Sequence, residues 1–402
     1  MFHTVRPPTR LAIVLSHPTQ YYSPWFRWLT ANTRLQLRVF YLWDFGVTAG
    51  HDANFQQTFK WDVDLLGGYE SEFVPNTSRA PGPDRFWGFN NPQLTKRLDQ
   101  WRPDALLIFG YKYASHLRAI AWARKRRIPL LFRGDSHLLG RARPRGLRTF
   151  ALRRLYSQFA AITYVGAANR AYFQALGVPD ERLFFAPHSV DDRLFAAGHA
   201  KHIAAAAALR SGLGLSANTR VVLFAGKFVA AKQPRALLDA FISLRQPNTA
   251  LLFVGGGPER DALVEGARAA PASAVHFLPF ANQTEMPSRY AAADVFALPS
   301  HGTYETWGLA VNEAMHMGLP CLVSNRVGCQ SDLVTDGETG WVFEADDTRQ
   351  LQARLAAALT DDLGPYRERV ASRIAGYTYR ETSAGLIRAL GSLAAPGDRM
   401  TS

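Results

Sequence analysis

Two glutamates flank the predicted start of a helix in the C-terminal half of the sequence. A buried strand is predicted over Val295–Leu298, and a helix is predicted to begin near Trp307 or Gly308, with Glu305 before it and Glu313 inside it. The first N–H groups of a helix attract anions, and carboxylates accept hydrogen bonds from hydroxyl groups. The segment from Glu305 to Glu313, which includes Leu309, therefore favours a ligand that carries both phosphates and hydroxyls. The alternative is a surface turn followed by an ordinary amphipathic helix.

Two lysines follow another predicted strand, Val221–Phe224. Gly226 lets the backbone approach a ligand closely, and Lys227 and Lys232 can both direct their charge at one diphosphate. The alternative is a pair of solvated surface lysines. A further strand leads into the glycines at 255–257, which do not complete a dinucleotide-binding fingerprint. We interpret them as a structural loop that lines the site.

The loop after the first predicted strand offers candidates in the N-terminal half. It contains His17, Gln20 and Tyr21, and it leads into a helix with Ser23 as predicted N-cap and Pro24 as first helical residue. We expect these three side chains to face the reacting part of the ligand. The alternative for each of them is a folded surface turn.

Further candidates follow two other predicted strands of the N-terminal half. Arg133 and Asp135 come after one of them, and Tyr111 after the other. Asp135 is the only acidic residue among eleven basic ones in Arg124–Arg154. It contacts a ligand in the cleft, or it neutralises arginines, and the sequence leaves these alternatives open.

Alternating strand and helix patterns must position all of these residues. The predicted strands are Leu11–Leu15, Leu37–Tyr41, Ala105–Phe109, Leu130–Phe132, Ala161–Val165, Val221–Phe224, Leu251–Val254, Ala274–Leu278, Val295–Leu298 and Cys321–Ser324. This alternation predicts an α/β protein with parallel sheets covered by helices on both faces. Turn chemistry near residue 195 divides it into two doubly wound domains, 1–195 and 196–376. Ligands of such sheets bind at the carboxyl ends of strands, so we expect the site in the cleft between the domains.

The last segment, 377–402, differs from the preceding pattern. Thr378 and Glu381 form a Thr-x-x-Glu capping box before a helix predicted over 379–393. We expect this helix to cross back to the first domain.

Composition and charge narrow the function classes. The 402 residues are 47% hydrophobic and 20% charged, as in globular proteins, and no run of about 20 apolar residues predicts a membrane span. The N-terminus lacks a signal-peptide pattern, and Cys321 and Cys329 make neither a disulfide framework nor a zinc site. We therefore expect a cytoplasmic protein without a metal.

The net charge of +13 lies entirely in residues 1–195, which hold 27 basic and 14 acidic residues against 19 of each in 196–402. The stretch Arg124–Arg154 is the most basic part, and Leu147 and Phe150 lie among its arginines. We expect an amphipathic helix that docks on an anionic membrane surface. The alternative is a solvated basic face.

The second half resembles the C-terminal domain of the GT-B glycosyltransferases of retaining family 4. The family's Gly-Arg-x4-Lys is present as Gly226-Lys227-x4-Lys232, its Val-Gly-x-Gly-Pro-Glu as 254–259, and its Glu-x7-Glu as Glu305–Glu313. The Glu-Ala-Met-x-x-Gly-x-Pro and Asp-Gly-x-x-Gly motifs follow at 313–320 and 336–340. The N-terminal loop resembles the His-Pro-x-Gln-Tyr loop of bacterial surface-polysaccharide transferases.

The resemblance implies roles for these residues. Lys227 and Lys232 would bind the diphosphate of a nucleotide-sugar, and Glu313 the ribose. Glu305 and the backbone amides of Trp307, Gly308 and Leu309 would hold the transferred sugar and the phosphates. The family implies two Rossmann-like domains around a cleft, a cross-over helix, and retention without a metal or other cofactor.

Three departures from the family pattern qualify these roles. Lys227 replaces the usual arginine and loses its bidentate fork, the loop from Ser300 to Glu305 is slightly long, and Cys329 replaces a glycine. The family's cleft histidine aligns with Gly134 or Asp135, so the resemblance implies that a ligand of Asp135 would be the sugar or the acceptor. Asp62 and Asp64 match the Asp-x-Asp pair of the unrelated GT-A transferases, and we interpret them as surface residues.

The resulting expectation is a glycosyltransferase that uses a UDP- or GDP-linked sugar and a glycan or lipid-linked glycan of the cell envelope. Alternatives are a nucleotide-sugar epimerase of the same fold, a non-catalytic sugar-nucleotide sensor, and a nucleic-acid-binding protein. The last is suggested by charge alone, and the neutral C-terminal half argues against it. We expect no nucleic-acid partner.

Overall fold

The computed structural model describes residues 9–52 and 55–393. The strands are β1 (Arg10–Leu15), β2 (Gln36–Tyr41), β3 (Gly50–Asp52), β4 (Gln57–Phe59), β5 (Glu70–Phe73), β6 (Ala105–Phe109), β7 (Leu130–Arg133), β8 (Ala161–Tyr164), β9 (Leu183–Phe185), β10 (Arg220–Lys227), β11 (Thr249–Gly256), β12 (Ala274–Leu278), β13 (Val295–Leu298), β14 (Cys321–Ser324) and β15 (Gly340–Phe343).

The helices between these strands cover both faces of the sheets. They are α1 (Tyr22–Asn32), α2 (Leu94–Trp101), α3 (Ala114–Arg126), α4 (Leu147–Tyr156), α5 (Ala167–Ala175), α6 (Ala200–Gly212), α7 (Pro234–Leu244), α8 (Arg260–Arg268), α9 (Met286–Ala291), α10 (Leu309–His316), α11 (Gln330–Leu333), α12 (Thr348–Thr360), α13 (Gly364–Ile374) and α14 (Tyr379–Gly391).

Two parallel sheets organise the molecule. The N-terminal sheet has the order β5-β2-β1-β6-β7-β8-β9 and the C-terminal sheet the order β12-β11-β10-β13-β14-β15. Apolar side chains on both faces of each sheet are buried under helices, which explains the continuous aliphatic runs of the strands. The predicted fold class of two doubly wound parallel-sheet domains is confirmed.

A short antiparallel hairpin, β3–β4, stands apart from the N-terminal sheet. It reaches the C-terminal domain, where the rings of Phe55 and Phe59 lie 5.0 and 4.8 Å from that of Phe280. Sequence patterns did not predict this hairpin, because each strand has only three residues.

The C-terminal helix α14 packs on the N-terminal domain, as expected of a cross-over helix. Trp25 Nε1 donates to Ser383 Oγ at 3.0 Å, and Gly385 lies so close to β9 that a Cβ would approach the Phe185 carbonyl to 1.9 Å. The predicted capping box does not form, since Thr378 occupies the N-cap position without a side-chain capping bond. Residues 394–402 lie outside the described part of the chain.

The start of α1 also differs from the prediction. The helix begins at Tyr22, so Ser23 and Pro24 lie in its first turn and Ser23 is not the N-cap. The hydroxyl of Thr19 accepts from the Tyr22 N–H at 3.1 Å instead. That bond satisfies one of the N–H groups that a helix start leaves open.

Candidate active site

A cavity of about 500 Å³ opens between the carboxyl ends of the two sheets. Most of the residues singled out from the sequence line it: His17, Gln20, Tyr21, Asp135, Gly226, Lys227, Lys232, Glu305, Trp307, Gly308, Leu309 and Glu313. Its volume lies in the range of small-molecule and cofactor sites.

Paired glycines bring the C-terminal lysines to the cavity. β10 and β11 run in register, with Gly226 opposite Gly255, and a Cβ on Gly255 would lie 2.1 Å from the Gly226 carbonyl oxygen. Close contact between the two backbones therefore requires glycine at 255. Lys227 ends β10 and Lys232 follows in a 3-10 turn, so both ammonium groups reach the same cavity.

Glu305 is held by a cation and by a hydroxyl. Its Oε2 accepts from Lys232 Nζ at 2.6 Å and from Ser300 Oγ at 3.2 Å. The carboxylate side chain is 16% exposed and the Lys232 side chain 12%. The pair is therefore partly shielded from water yet open to the cavity.

Glu313 lies deeper, in the second turn of α10. It is 4% exposed and accepts hydrogen bonds from Tyr290 at 2.8 Å, Tyr21 at 3.1 Å and Gln283 at 3.2 Å. Burial raises the pKa of the Glu313 carboxyl, and the three donors oppose that rise. The group is arranged to accept hydrogen bonds.

The start of α10 completes the C-terminal wall. Gly308 is the N-cap with φ = 101°, and a Cβ there would lie 2.9 Å from Val327. This left-handed conformation suits glycine. The indole of Trp307, 3% exposed, donates to Asn312 at 2.8 Å and fixes the loop that carries Glu305.

Asp135 faces the cavity from the N-terminal domain. Its Oδ2 accepts from the Thr306 hydroxyl at 2.8 Å and lies 3.7 Å from His188 Nε2. Burial would raise the pKa of Asp135, but the contacts with His188 and Thr306 outweigh it and lower the pKa to about 2. The side chain is still 41% exposed, so a carboxylate charge faces the cavity.

Two predicted cleft residues do not reach the cavity. Arg133 is 2% exposed, and its guanidinium donates to the carbonyls of Ala186 and Pro187 at 2.8 and 3.2 Å. It therefore holds the interdomain linker rather than a ligand. Tyr111 packs against the rings of Phe132 and Tyr156.

The remaining N-terminal candidates line the cavity through the loop after β1. The ring of His17 packs edge-on against Trp43 and Phe45, and burial lowers the pKa of His17 to about 4. Gln20 is 9% exposed. Nδ1 of the neutral imidazole already lies 3.0 Å from the Ser16 hydroxyl, within hydrogen-bonding distance.

Sequence reasoning missed several cavity residues. His188 lies in the linker after β9, a strand that was not predicted, and its ring nitrogen Nε2 is buried without a hydrogen bond. Asp52 and Phe55 belong to the hairpin, and Gln283 follows β12. For Gln283 the available signal was its position after the predicted strand β12, whereas His188 had no such signal because β9 was not predicted.

No helix of the described residues is both long and apolar enough to cross a membrane. Within the same residues, no group of three or more His, Cys, Asp or Glu side chains is placed to hold a metal ion. Cys321 and Cys329 are buried free thiols. Asp62 and Asp64 are exposed, as expected, and Asp62 accepts from the Thr284 N–H of the other domain.

Comparisons with known proteins identify both domains. Residues 207–375 match the family described as glycosyl transferases group 1, and residues 73–188 match a glycosyl transferase 4-like domain. Among solved structures, Anabaena HepE in complex with UDP superposes with a TM-score of 0.72 at 18% identity, covering 96% of this chain and all of that chain. A glycosyltransferase from Rickettsia africae reaches 0.74 at 10% identity, over 96% and 99% of the two chains. The chain therefore has the GT-B fold of these structures, and each of its two domains contains a region that matches a glycosyl transferase family model.

Curated relatives of this chain match over part of their length. A GDP-mannose-dependent phosphatidylinositol monomannoside mannosyltransferase of Mycolicibacterium smegmatis is 32% identical over 219 residues, which are 52% of this chain and 56% of the relative. A D-inositol 3-phosphate glycosyltransferase of Mycobacterium tuberculosis is 35% identical over 175 residues, 42% of this chain and 35% of the relative. The chain thus spans about half or less of the length of these relatives.

Proposed function

We propose that this protein is a glycosyltransferase, which moves a sugar from a nucleoside diphosphate sugar to a hydroxyl of a glycan or lipid-linked glycan, with retention and without a metal ion. The observation that carries the proposal is the convergence of Lys227, Lys232, Glu305 and Glu313 on one cavity at the carboxyl ends of the strands. One relative is named for GDP-mannose, and Anabaena HepE is bound to UDP. Both nucleobases are therefore candidates.

The cations would stabilise the leaving diphosphate. Negative charge accumulates on it as its bond to the anomeric carbon breaks, and groups fixed in advance stabilise that charge most in the transition state. Lys227 and Lys232 supply two positive charges at the cavity, and the first turn of α10 adds backbone N–H groups. These groups would take the place of a divalent cation.

The two glutamates would orient the hydroxyl groups of the donor. Glu313 suits the ribose and Glu305 the transferred sugar, because a carboxylate accepts hydrogen bonds from hydroxyls. The acceptor oxygen would bond to the anomeric carbon on the face from which the diphosphate departs. The acceptor's proton would pass to the leaving phosphate oxygen, without a covalent enzyme intermediate.

Thermal unfolding with a panel of UDP- and GDP-sugars, each with and without EDTA, tests the donor assignment. A ligand at about 100 times its dissociation constant stabilises a protein by about 2.7 kcal/mol. We expect one nucleotide class to raise Tm, no effect of EDTA, and loss of the shift in Glu313→Ala. The exposed Glu338→Ala is the matched control. The absence of a shift with every sugar-nucleotide would contradict the donor site.

Analysis of the products separates the alternatives of other classes. A transferase releases the nucleoside diphosphate only when an acceptor is present, whereas an epimerase changes the sugar without one, and a sensor binds without turnover. A nucleic-acid-binding protein would instead bind DNA or RNA with a steep salt dependence.

We further propose that the N-terminal domain docks on an anionic membrane, at the cytosolic face where lipid-linked acceptors would be met. Leu147 is 87% exposed and Phe150 69%, at the start of α4. Arg143 and Arg145 precede them in the sequence, and Arg148 lies between them. Exposed apolar groups among arginines fit an interface between anionic headgroups and acyl chains.

Cosedimentation with phosphatidylglycerol vesicles tests this docking. We expect binding that is lost with phosphatidylcholine vesicles and in the double variant Leu147→Ser/Phe150→Ser. The variant Ile203→Ser, at a 54% exposed position on α6, should bind like the original protein. Equal losses in the double variant and the control would contradict a specific docking face.

A further inference from the structure

An acidic side chain of the N-terminal domain forms an ion pair with Lys227, the lysine proposed to bind phosphate. Asp52, at the end of β3, places Oδ2 2.9 Å from Lys227 Nζ, and the ring of Phe55 lies 4.9 Å from the same ammonium group. The two charged side chains are 17% and 21% exposed, so water screens the pair only in part. A carboxylate is an anion with oxygen acceptors, as a phosphate is.

A hydroxyl of the N-terminal domain likewise hydrogen-bonds to Glu313, the glutamate proposed to bind the ribose. Oε1 of Glu313 accepts hydrogen bonds from the Tyr21 hydroxyl and the Gln283 amide, and Oε2 accepts one from the Tyr290 hydroxyl. An ionised carboxylate offers about four acceptor positions. Three are taken, so the two adjacent hydroxyls of a ribose cannot both bind while all three donors stay.

Of the three donors on Glu313, Tyr21 alone belongs to the N-terminal domain. Gln283 and Tyr290 belong to the C-terminal domain. The Tyr21 backbone is fixed from a third direction, because the Tyr379 hydroxyl of α14 donates to its carbonyl at 3.2 Å. Both Asp52 and Tyr21 thus bridge the domains at positions where the donor would bind.

We propose that Asp52 and Tyr21 are internal substitutes for the donor, the carboxylate of Asp52 for its diphosphate and the hydroxyl of Tyr21 for a ribose hydroxyl. This inference rests on the proposed function, since it takes Lys227 and Glu313 as donor-binding groups. A nucleoside diphosphate sugar then binds by exchange: it displaces both side chains and releases two contacts that hold the domains together. The same groups keep Lys227 and the buried Glu313 carboxylate satisfied when no donor is bound.

Exchange lowers the apparent affinity for the donor. When the binding-competent form is only a fraction of the population, the apparent dissociation constant rises by the inverse of that fraction. Removal of a substitute should therefore tighten binding, whereas removal of an ordinary positioning residue would weaken it. The opposite signs make the proposal testable.

Calorimetric titration of the full chain with UDP, GDP and inorganic pyrophosphate provides the test. Asp52→Asn removes the charge at constant size, and we expect it to lower the dissociation constants of the nucleotide that binds and of pyrophosphate about three- to tenfold. Tyr21→Phe removes only the hydroxyl. It should lower the dissociation constant of the nucleotide about two- to fivefold and leave that of pyrophosphate unchanged, because pyrophosphate has no ribose.

Asp62→Asn is the matched control for hairpin docking. Asp62 contacts Thr284 of the C-terminal domain and none of the residues proposed to bind the donor. We therefore expect Asp62→Asn to bind nucleotide and pyrophosphate within about twofold of the original protein, because a contact that does not compete with the donor shifts the binding equilibrium little. Asp52→Glu, which keeps the charge, should also bind as the original protein does.

Three results would overturn the proposal. Unchanged or weaker binding in Asp52→Asn and Tyr21→Phe would make these residues structural or positioning groups. Equal tightening in Asp62→Asn would assign the effect to loosening of the hairpin. If neither nucleotides nor pyrophosphate bound any of the variants, the donor site itself would be wrong, and the exchange with it.

Discussion

In the C-terminal domain, the predicted site residues lie at or after two neighbouring strands of one sheet, whereas the N-terminal domain supplies its cavity residues from separate segments. Lys227 ends β10, and Glu305 and Glu313 follow β13, which pairs with β10. Tyr21 follows β1, Asp52 ends the hairpin strand β3, and Asp135 follows β7. The first arrangement brings charged groups together within one domain, whereas the contacts of the second form only where the domains meet.

The same contrast appears in charge. The N-terminal 195 residues carry the whole positive excess, and the remainder is neutral. Among the lysines and arginines that the structure describes, however, only Lys227 and Lys232 of the C-terminal domain line the cavity. The N-terminal cations lie mainly on the surface, apart from the buried Arg133, which binds the linker. Net charge is therefore a guide to surfaces and not to the reacting centre.

Loss of the Glu305 charge should have the largest effect. Glu305→Gln keeps the shape but weakens the contact with Lys232, and we expect kcat/KM to fall about 100- to 1000-fold, as for the loss of a preorganised polar group at a reacting centre. Steady-state kinetics with the identified donor measures it, and Glu338→Gln is the surface control. Near-normal kcat/KM in Glu305→Gln would contradict a role of the Glu305 charge in the reaction.

Asp135→Asn tests the N-terminal side of the contrast. We expect kcat/KM to fall about 10- to 100-fold while the dissociation constant of the donor changes little, because Asp135 contacts Thr306 and His188 rather than the lysines proposed to bind the donor. Kinetics and donor titration are compared on the same variant. Parallel losses in both would place Asp135 among the donor-binding groups instead.

Acid should weaken the N-terminal domain through a buried histidine. His116 of α3 is 1% exposed, neither ring nitrogen has a hydrogen bond, and burial lowers its pKa to about 3. The unfolded chain, with a pKa near 6.5, binds the proton first, so stability is complete above about pH 6.5 and is lost as the pH falls towards 3.

For this histidine we expect the free energy of unfolding to fall by about 2 kcal/mol between pH 7.5 and 5. His116→Phe should not show that part of the loss. Urea unfolding of both proteins at the two pH values measures it. An identical pH dependence of the two proteins would show that His116 is not the acid-sensitive group.

The sequence predicted the central strands well, because their aliphatic runs are buried on both faces. β6, β12, β13 and β14 have the predicted bounds. The missed strands are short or polar: β5 is an edge strand of sequence Glu-Ser-Glu-Phe, and β9 has only three residues. Pattern methods need several buried positions in a row, and these strands do not provide them.

By itself, the sequence determined the alternating architecture. It also marked the glycines at 226 and 308, with the lysines and glutamates beside them, as candidate site residues, because each of these patterns depends on neighbours close in the chain. Only the tertiary structure decided that Arg133 binds the linker, that His188 lies beside Asp135, and that Asp52 and Tyr21 contact Lys227 and Glu313. Tyr21 and Glu313 are 292 residues apart. The packing of one domain on the other brings such side chains together, and no local pattern encodes that packing.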